Sequence, residues 1–434
     1  MSKNNLKNGS PFDISLNLNV RGMPVSATLA INELSNKLKK EGRKVYKLGL
    51  GQSPFPVPRA VVEELQANAY QKDYLPVKGL QSLRESVAGY HSRRNDIQCD
   101  AESVLIGPGS KELMFLLQFV YYGDLVIPTP SWVSYPPQAK IIGRQIVWIE
   151  TKESNKWRFL PEDLHKICKS DPERPRIVIL NYPSNPTGVT YSVDELKELA
   201  KVARKYHVIL LSDEIYGELH FTGQHVSISR FYPEGTILSG GLSKWCGAGG
   251  WRLGTFTFPK TLGWLMEAMA SVASETFTST SAPIQYAAVR AFEGTIGMER
   301  YLWNSRRILK RVGYTIRAMF ESKNILSPQP DGAFYLFCNF EKVRTKLESK
   351  NIFNSLQLTT KLLEDTGVAL LPGSVFGRPN RELTTRLSYV DFDGTRAIAA
   401  AETTAPEKEL PDDFAQIYCE HVLDAVQLIC KWVD

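Results

Sequence analysis

The residues best suited to chemistry lie between Thr236 and Thr255, in T-I-L-S-G-G-L-S-K-W-C-G-A-G-G-W-R-L-G-T. Thr236 to Leu238 reads as a short strand, and the glycines after it let backbone pass close to something bulky. Lys244 then falls just past a strand end, where α/β proteins place their ligands. Arg252, eight residues further on, is a fixed cation able to grip a phosphate with two N–H groups. A lysine that can form a Schiff base beside an arginine that can hold a phosphate points to pyridoxal phosphate. Taken alone, the segment also reads as a surface lysine near a flexible turn.

Several other stretches could serve the same pocket. Gly107-Pro-Gly-Ser-Lys-Glu112 follows a strand and opens a helix, so Gly109, Ser110 and Lys111 would offer N–H groups and a hydroxyl to a phosphate. A plain strand-to-helix turn accounts for it equally well, and it matches neither G-x-G-x-x-G nor a P-loop. Trp132, in P-T-P-S-W-V-S-Y, could stack on a flat cofactor or simply fill a core. Asn185, in the turn N-Y-P-S-N-P-T-G, follows the strand Ile177–Leu180 and can aim an amide inward. Asp213, at the end of the apolar run Val208–Leu211, could pair with a buried cation or cap a helix, and Tyr216 could reach the same pocket. Gly51, in a stiff segment with three prolines, marks either close approach to a ligand or an interdomain turn.

These residues need a scaffold. Strand-like runs at Val104–Ile106, Leu125–Ile127, Ile146–Ile149, Ile177–Leu180, Val208–Leu211, Ile237–Leu238 and Thr255–Phe258 alternate with helical patterns such as Val193–Tyr206, which opens on the capping box Ser192-x-x-Glu195. Alternation of this kind predicts an α/β fold: a mostly parallel seven-stranded sheet covered by helices. Residues 59–320 form the expected large domain. Past Phe320, Ala333–Phe337 and Thr384–Val390 read as strands and Leu356–Asp365 as a helix ended by Gly367. A smaller α+β domain built from 15–58 and 321–434, that is from both chain ends, follows. Within it, a helix is expected over Thr28–Gly42, a surface excursion over Arg396–Asp413, and an amphipathic closing helix over Phe414–Val433.

The bulk properties narrow the class. With 434 residues, 43% hydrophobic and 23% charged, the composition is that of a globular protein large enough for two or three domains. The net charge of +6 is spread among acids, and its densest stretch, Arg300–Arg317, interleaves with Leu302, Ile308, Leu309, Val312 and Ile316. A solvated helix face is the reading there, and no nucleic-acid module accompanies it. The six scattered cysteines form no C-x-x-C pair, which argues against a zinc ribbon or disulfide framework and for a reducing compartment. The polar start M-S-K-N-N-L-K-N-G-S, expected to be mobile, has no apolar signal region. A cytoplasmic protein without a bound metal, membrane or nucleic-acid partner is expected.

Five motifs in order, N-P-T-G (185–188), S-D-E-I-Y (212–216), S-K with an arginine eight residues later, P-G-S-V-F-G (372–377) and R-L-S-Y (386–389), together resemble the fold-type I pyridoxal-phosphate-dependent aminotransferases of class I/II, the aspartate aminotransferase superfamily. The resemblance spans Gly49 to Val390 and implies a role for each matching residue. Lys244 would carry the cofactor as a Schiff base, and Asp213 would pair with its ring nitrogen. Asn185 and Tyr216 would hydrogen-bond the ring's phenolic oxygen, and Trp132 would stack on its face. Arg252 with Gly109, Ser110 and Lys111 would hold the phosphate. Tyr74 matches a tyrosine that reaches the phosphate of the neighbouring subunit, implying a homodimer with shared active sites. Arg386 would clamp the substrate α-carboxylate, with Gly51 shaping that side of the pocket.

The implied activity moves an amino group from an L-amino acid, aspartate or aromatic, to a 2-oxo acid such as 2-oxoglutarate through a ping-pong cycle. The same superfamily also holds C–S β-lyases and cyclopropane-forming synthases, and the fold serves non-catalytic regulatory proteins. Two departures stand out. Many relatives carry a serine three residues before the lysine, where this chain has Gly241, and the N-terminal motif reads G-Q-S-P-F rather than G-E-P-D-F. Pro24 and Val25, rather than a lysine, precede Ser26-Ala27-Thr28, unlike many relatives that handle aspartate and prephenate.

Overall fold

The computed structural model describes residues 15–23 and 25–434; the polar start and Pro24 lie outside the described residues. Seven strands form the central sheet: β1 (Val104–Gly107), β2 (Asp124–Thr129), β3 (Ile146–Glu150), β4 (Arg176–Asn181), β5 (Ile209–Asp213), β6 (Thr236–Gly241) and β7 (Gly254–Thr257). Their spatial order is β1-β7-β6-β5-β4-β2-β3. The β2, β3, β4, β5 and β6 strands run parallel, while β7 runs antiparallel to both β6 and β1. The sheet is thus mostly parallel, as the alternating pattern predicts.

Why the strands read as unbroken apolar runs is plain from their two faces. Leu125, Ile127, Ile177, Ile179, Ile209 and Leu211 enter one core, while the intervening Val126, Val178, Leu180 and Leu210 enter another on the opposite face. A strand's side chains alternate faces, so burial on both sides demands apolar residues at every position. The covering helices carry the expected local signals. Helix α1 is Ala27–Lys40 and α2 is Ser110–Val120; α3 (Val193–Lys205) starts with a complete capping box in which Ser192 Oγ accepts from the Glu195 N–H and the Glu195 carboxylate accepts from the Ser192 N–H. The long helix α4 spans Ile296–Glu321.

The C-terminal part adds a three-stranded antiparallel sheet, β9-β10-β8, from β8 (Tyr335–Asn339), β9 (Leu371–Pro372) and β10 (Thr384–Ser388). Helix α5 (Ser355–Thr366) stops at Gly367, which takes the left-handed conformation at φ 76°. Tyr46–Lys47 pairs in parallel with Val368–Ala369, so the N-terminal segment is hydrogen-bonded to the C-terminal part.

Three expectations are corrected. The stretch 396–413 is not all surface excursion, because Gly394–Ala401 is a helix whose Ala397, Ile398 and Ala401 are buried. Its small side chains let it lie close against α4. The closing helix is two, Phe414–Tyr418 and α6 (Glu420–Val433), broken at Cys419. The basic stretch of α4 is not a simple solvated face, since Arg306 and Arg307 are buried.

Candidate active site

The C-terminal ends of three neighbouring parallel strands deliver the polar residues. After β4 comes the turn holding Asn185, β5 ends on Asp213, and Lys244 follows β6 by three residues. Across the cleft, β10 brings Arg386, and the segment that follows α1 brings Gly51. Residues far apart in sequence converge because parallel strands present all their carboxyl ends along one edge.

Lys244 Nζ donates to the Gly51 carbonyl at 2.8 Å and has no carboxylate partner among the described residues. Burial, then repulsion from Arg386, pulls its pKa down to about 8, with Arg252 and Lys111 adding to the effect and Asp213 opposing it. Asp213 is buried and lacks a cationic partner at salt-bridge distance among the described residues. One carboxylate oxygen accepts from Tyr135 Oη at 2.6 Å and the other from the Ile215 N–H at 3.4 Å. Burial pushes its pKa up to about 6, while the Tyr135 bond, the backbone and Lys244 hold it down.

Arg386 is 2% exposed, with its guanidinium over the rings of Tyr335 (4.7 Å) and Phe376 (5.1 Å). It donates to Asn185 Oδ1 at 3.1 Å and to the Gly49 carbonyl at 2.5 Å, and its buried Nε has no partner. Tyr216 Oη lies 2.8 Å from Tyr335 Oη, and the Tyr216 ring is 5.7 Å from Lys244 Nζ. Gly51 has no room for a side chain, because an added Cβ would fall 2.0 Å from Tyr335 Oη.

On the opposite wall, Gly109 takes φ 90° and α2 starts at Ser110. A Cβ on Gly109 would sit 2.2 Å from Arg252 Nη2, so the glycine keeps the arginine against the helix N-terminus. Arg252 donates to the carbonyls of Gly249 (2.9 Å) and Pro108 (3.3 Å). Burial and Arg252 lower the Lys111 pKa, and Lys111 Nζ lies 5.3 Å over the Trp132 ring. Trp132 meets Tyr135 edge-on at 5.2 Å. Gly241 has φ 145°, and a Cβ there would come within 2.6 Å of the Leu253 carbonyl, so the departure from serine is enforced by the close approach of β6 and β7.

Of the residues picked from sequence, Gly51, Asn185, Asp213, Tyr216, Lys244 and Arg386 converge on one pocket, and Gly109, Ser110, Lys111, Trp132 and Arg252 line its flank. Tyr74 does not join them, being 88% exposed on the surface. Sequence reasoning missed Tyr135, Tyr335 and Phe376. Tyr135 stands three residues after Trp132, a spacing that could have paired them, and Phe376 lies inside the motif P-G-S-V-F-G, whereas Tyr335 sits in an apolar run that gives no signal.

The site holds four cations (Lys111, Lys244, Arg252 and Arg386) whose mutual repulsion registers at Lys244, against one buried unpaired carboxylate. Such an imbalance suits a ligand with two anionic groups and one cationic nitrogen. Comparison with known proteins bears on that ligand. Residues 43–397 match the family described as aminotransferase class I and II. The chain belongs to that family.

Its relatives include an aspartate aminotransferase of Geobacillus stearothermophilus, 34% identical over 379 residues covering 85% of this chain and 93% of the relative. An asparagine–oxo-acid transaminase of Streptococcus mutans is 32% identical, covering 86% and 94%. An aspartate/prephenate aminotransferase of Thermus thermophilus is 30% identical, covering 86% and 94%. Among solved structures, the Thermus thermophilus aspartate aminotransferase with maleate superposes with a TM-score of 0.82 at 26% identity, over 96% of this chain and all of that one. The chain is an amino-acid aminotransferase of the fold-type I class, the reading favoured over a lyase, a synthase or a regulatory protein. Among the described residues, no helix is long and apolar enough to cross a membrane and no cluster of His, Cys, Asp or Glu could hold a metal ion.

Proposed function

We propose that the pocket binds pyridoxal 5′-phosphate and uses it to move an amino group between an L-amino acid and a 2-oxo acid. The observation that carries this is the unbalanced charge of the site: Lys244 without a carboxylate partner, buried Asp213 without a cation, and Arg252 held at a helix N-terminus. Asp213 answers a protonated ring nitrogen, which would replace the cation it lacks and bring its carboxyl back to the ionised form. The N-terminus of α2, Ser110, Lys111 and Arg252 suit the phosphate dianion, without the hydroxyl that Gly241 excludes. Trp132 suits the ring face, and Asn185 and Tyr216 the ring's phenolic oxygen. When bound, the cofactor supplies an electron sink for the charge left on the substrate Cα.

The chain's own residues do the rest. Arg386, packed against the Tyr335 and Phe376 rings, takes the α-carboxylate in a two-pronged contact that fixes the Cα–H direction. Lys244, its pKa drawn to about 8, is neutral often enough near neutral pH for Nζ to accept the Cα proton and return it elsewhere. Tyr335 and Phe376 keep water from the guanidinium, which strengthens its hold on a carboxylate.

Aspartate and aromatic amino acids are the proposed donors, and 2-oxoglutarate the proposed acceptor, supported by the names of the relatives. We take 59–320 as the large domain and 15–58 with 321–434 as the small one, working as a homodimer to which each exposed Tyr74 contributes across the interface. Six free thiols, five of them buried, fit a cytoplasmic protein. The test is borohydride reduction after loading with pyridoxal phosphate, then peptide mapping, with each amino acid added alone to look for absorbance change. Label on the Lys244 peptide and a spectral shift with aspartate are expected. Label elsewhere, or none, overturns the reading.

A further inference from the structure

One buried side chain, so far seen only as a shield for the Arg386 guanidinium, also reaches Tyr216 and the backbone at Gly51. Tyr335, 1% exposed at the start of β8, packs its ring on the Arg386 guanidinium at 4.7 Å. Its Oη is 2.8 Å from Tyr216 Oη and fills the space a side chain at position 51 would take. The register explains the contact: β8 and β10 pair Phe337 with Arg386, so Tyr335 is the diagonal neighbour on the same face. The backbone carbonyl of Gly51 meanwhile accepts from Lys244.

We propose that Tyr335 is a positioning residue that couples the carboxylate clamp to the cofactor: its ring backs Arg386, and its hydroxyl donates to Tyr216, so that Tyr216 turns its own proton into the pocket. A phenol has one proton and two lone pairs. Among the described residues, Tyr216 is the one hydrogen-bond partner of the Tyr335 hydroxyl. If Tyr216 is to donate to an acceptor on a bound ring, the proton between the two tyrosines must come from Tyr335. A donated bond polarises Tyr216 and makes it the stronger donor, since linked hydrogen bonds reinforce one another. A stronger donor favours a bare anionic ring oxygen over one already sharing the proton of the neighbouring imine nitrogen. Tyr335 therefore eases deprotonation of the Lys244 linkage while steadying the guanidinium.

The inference rests on the pyridoxal phosphate reading. The test is a pH titration of the visible absorbance of the loaded enzyme, in wild type, Tyr335→Phe, Tyr216→Phe and the double variant. Other groups facing these tyrosines and Lys244, namely Asp213, Arg386, Arg252 and Lys111, are the same in all four. Tyr335→Phe should move the titration upward by about half a pH unit. In the Tyr216→Phe background the same change should add nothing. Binding of a non-reactive dicarboxylate, read by the same absorbance, should change less than about twofold in Tyr335→Phe, which keeps the ring. It should weaken about fivefold in Tyr335→Leu, which removes it. Wild type that takes up no chromophore refutes the cofactor reading itself. A titration unchanged in Tyr335→Phe, or the same shift with and without Tyr216, overturns the coupling alone. If Tyr335→Phe fails to load, pyridoxal phosphate affinity by fluorescence quenching decides: a loss also present in the Tyr216→Phe background refutes the coupling, and a loss confined to the Tyr216 background supports it.

Discussion

Two charge clusters, anchored five residues apart at Asp213 and Glu218, are built on opposite plans. Behind Tyr216, Glu218 bridges Arg306 at 2.5 Å and Arg94 at 2.8 Å; Arg306 also donates to the Glu218 carbonyl and Arg94 also pairs with Glu299. Every charge there has a partner. In front of Tyr216, Arg386 and Asp213 are just as deep and Lys244 is half-buried, but all three have only neutral partners, carbonyl, amide and hydroxyl. A buried pair is tolerated because each ion replaces the other's lost water. A buried lone ion lacks that replacement, and the fold keeps it only where something outside the chain completes it. Burial alone does not mark a site; burial without a partner does.

The contrast breaks most sharply at Lys244. Replacing it by alanine should lower turnover by at least about 10⁴-fold, while the cofactor-free protein melts no lower than wild type, because an uncompensated cation has been removed. A clear fall in the melting temperature would mean the lysine is structural. Glu218→Gln should do the reverse. It leaves Arg306 buried without its counter-charge and should cost about 3–5 kcal/mol of stability, seen in urea unfolding. The fraction that stays folded should still bind pyridoxal phosphate, and loss of binding would erase the distinction between the clusters.

The sequence exposes the two plans unequally. The central strands are legible because burial on both faces removes polar residues from them, so Asp213 and Lys244 stand out as the first charged groups past an apolar run. The paired cluster is hidden, because Arg306 lies on an amphipathic helix whose basic residues look solvated until Glu218 is placed against it. Tyr335 is hidden for a related reason: in A-F-Y-L-F it reads as core, and only the register of β8 against β10 brings it beside Arg386. The helix Gly394–Ala401 escapes notice because alanines bury well yet make a weak apolar stripe. Local pattern reveals which face is buried; partners from distant segments decide what a buried polar group does.

Arg386 sharpens the comparison at intermediate size. Lysine would keep the charge but lose the planar fork and its packing against Tyr335 and Phe376. Arg386→Lys should reduce kcat/KM by about 10²-fold, roughly 2–4 kcal/mol, for amino acids and 2-oxo acids alike, since both present the same carboxylate. Steady-state kinetics on both half-reactions will decide it. A loss confined to one substrate class would place the guanidinium on the side chain of that substrate instead.

The smallest effect tests the cost of an unpartnered ion directly. In the cofactor-free protein Asp213 titrates near 6, above the ordinary value of about 3.9 for an unfolded aspartate. Between those values the folded state holds a proton that the unfolded state has released, so stability falls as pH rises through the window, and the full penalty is present above about 6. Lys244, drawn to about 8 from about 10.4, has the complementary window. There the unfolded state holds the extra proton, so its penalty stands below about 8 and is relieved as pH climbs past it. Both penalties therefore overlap between pH 6 and 8, where added pyridoxal phosphate should raise the melting temperature most. Asp213→Asn removes one of them while keeping an acceptor for Tyr135. Without cofactor it should be more stable than wild type by about 1 kcal/mol at pH 7 and nearly equal to it at pH 4, by urea unfolding. A difference of the same size at both pH values would tie the gain to packing rather than to charge, and the two clusters would no longer differ in the way their partners suggest.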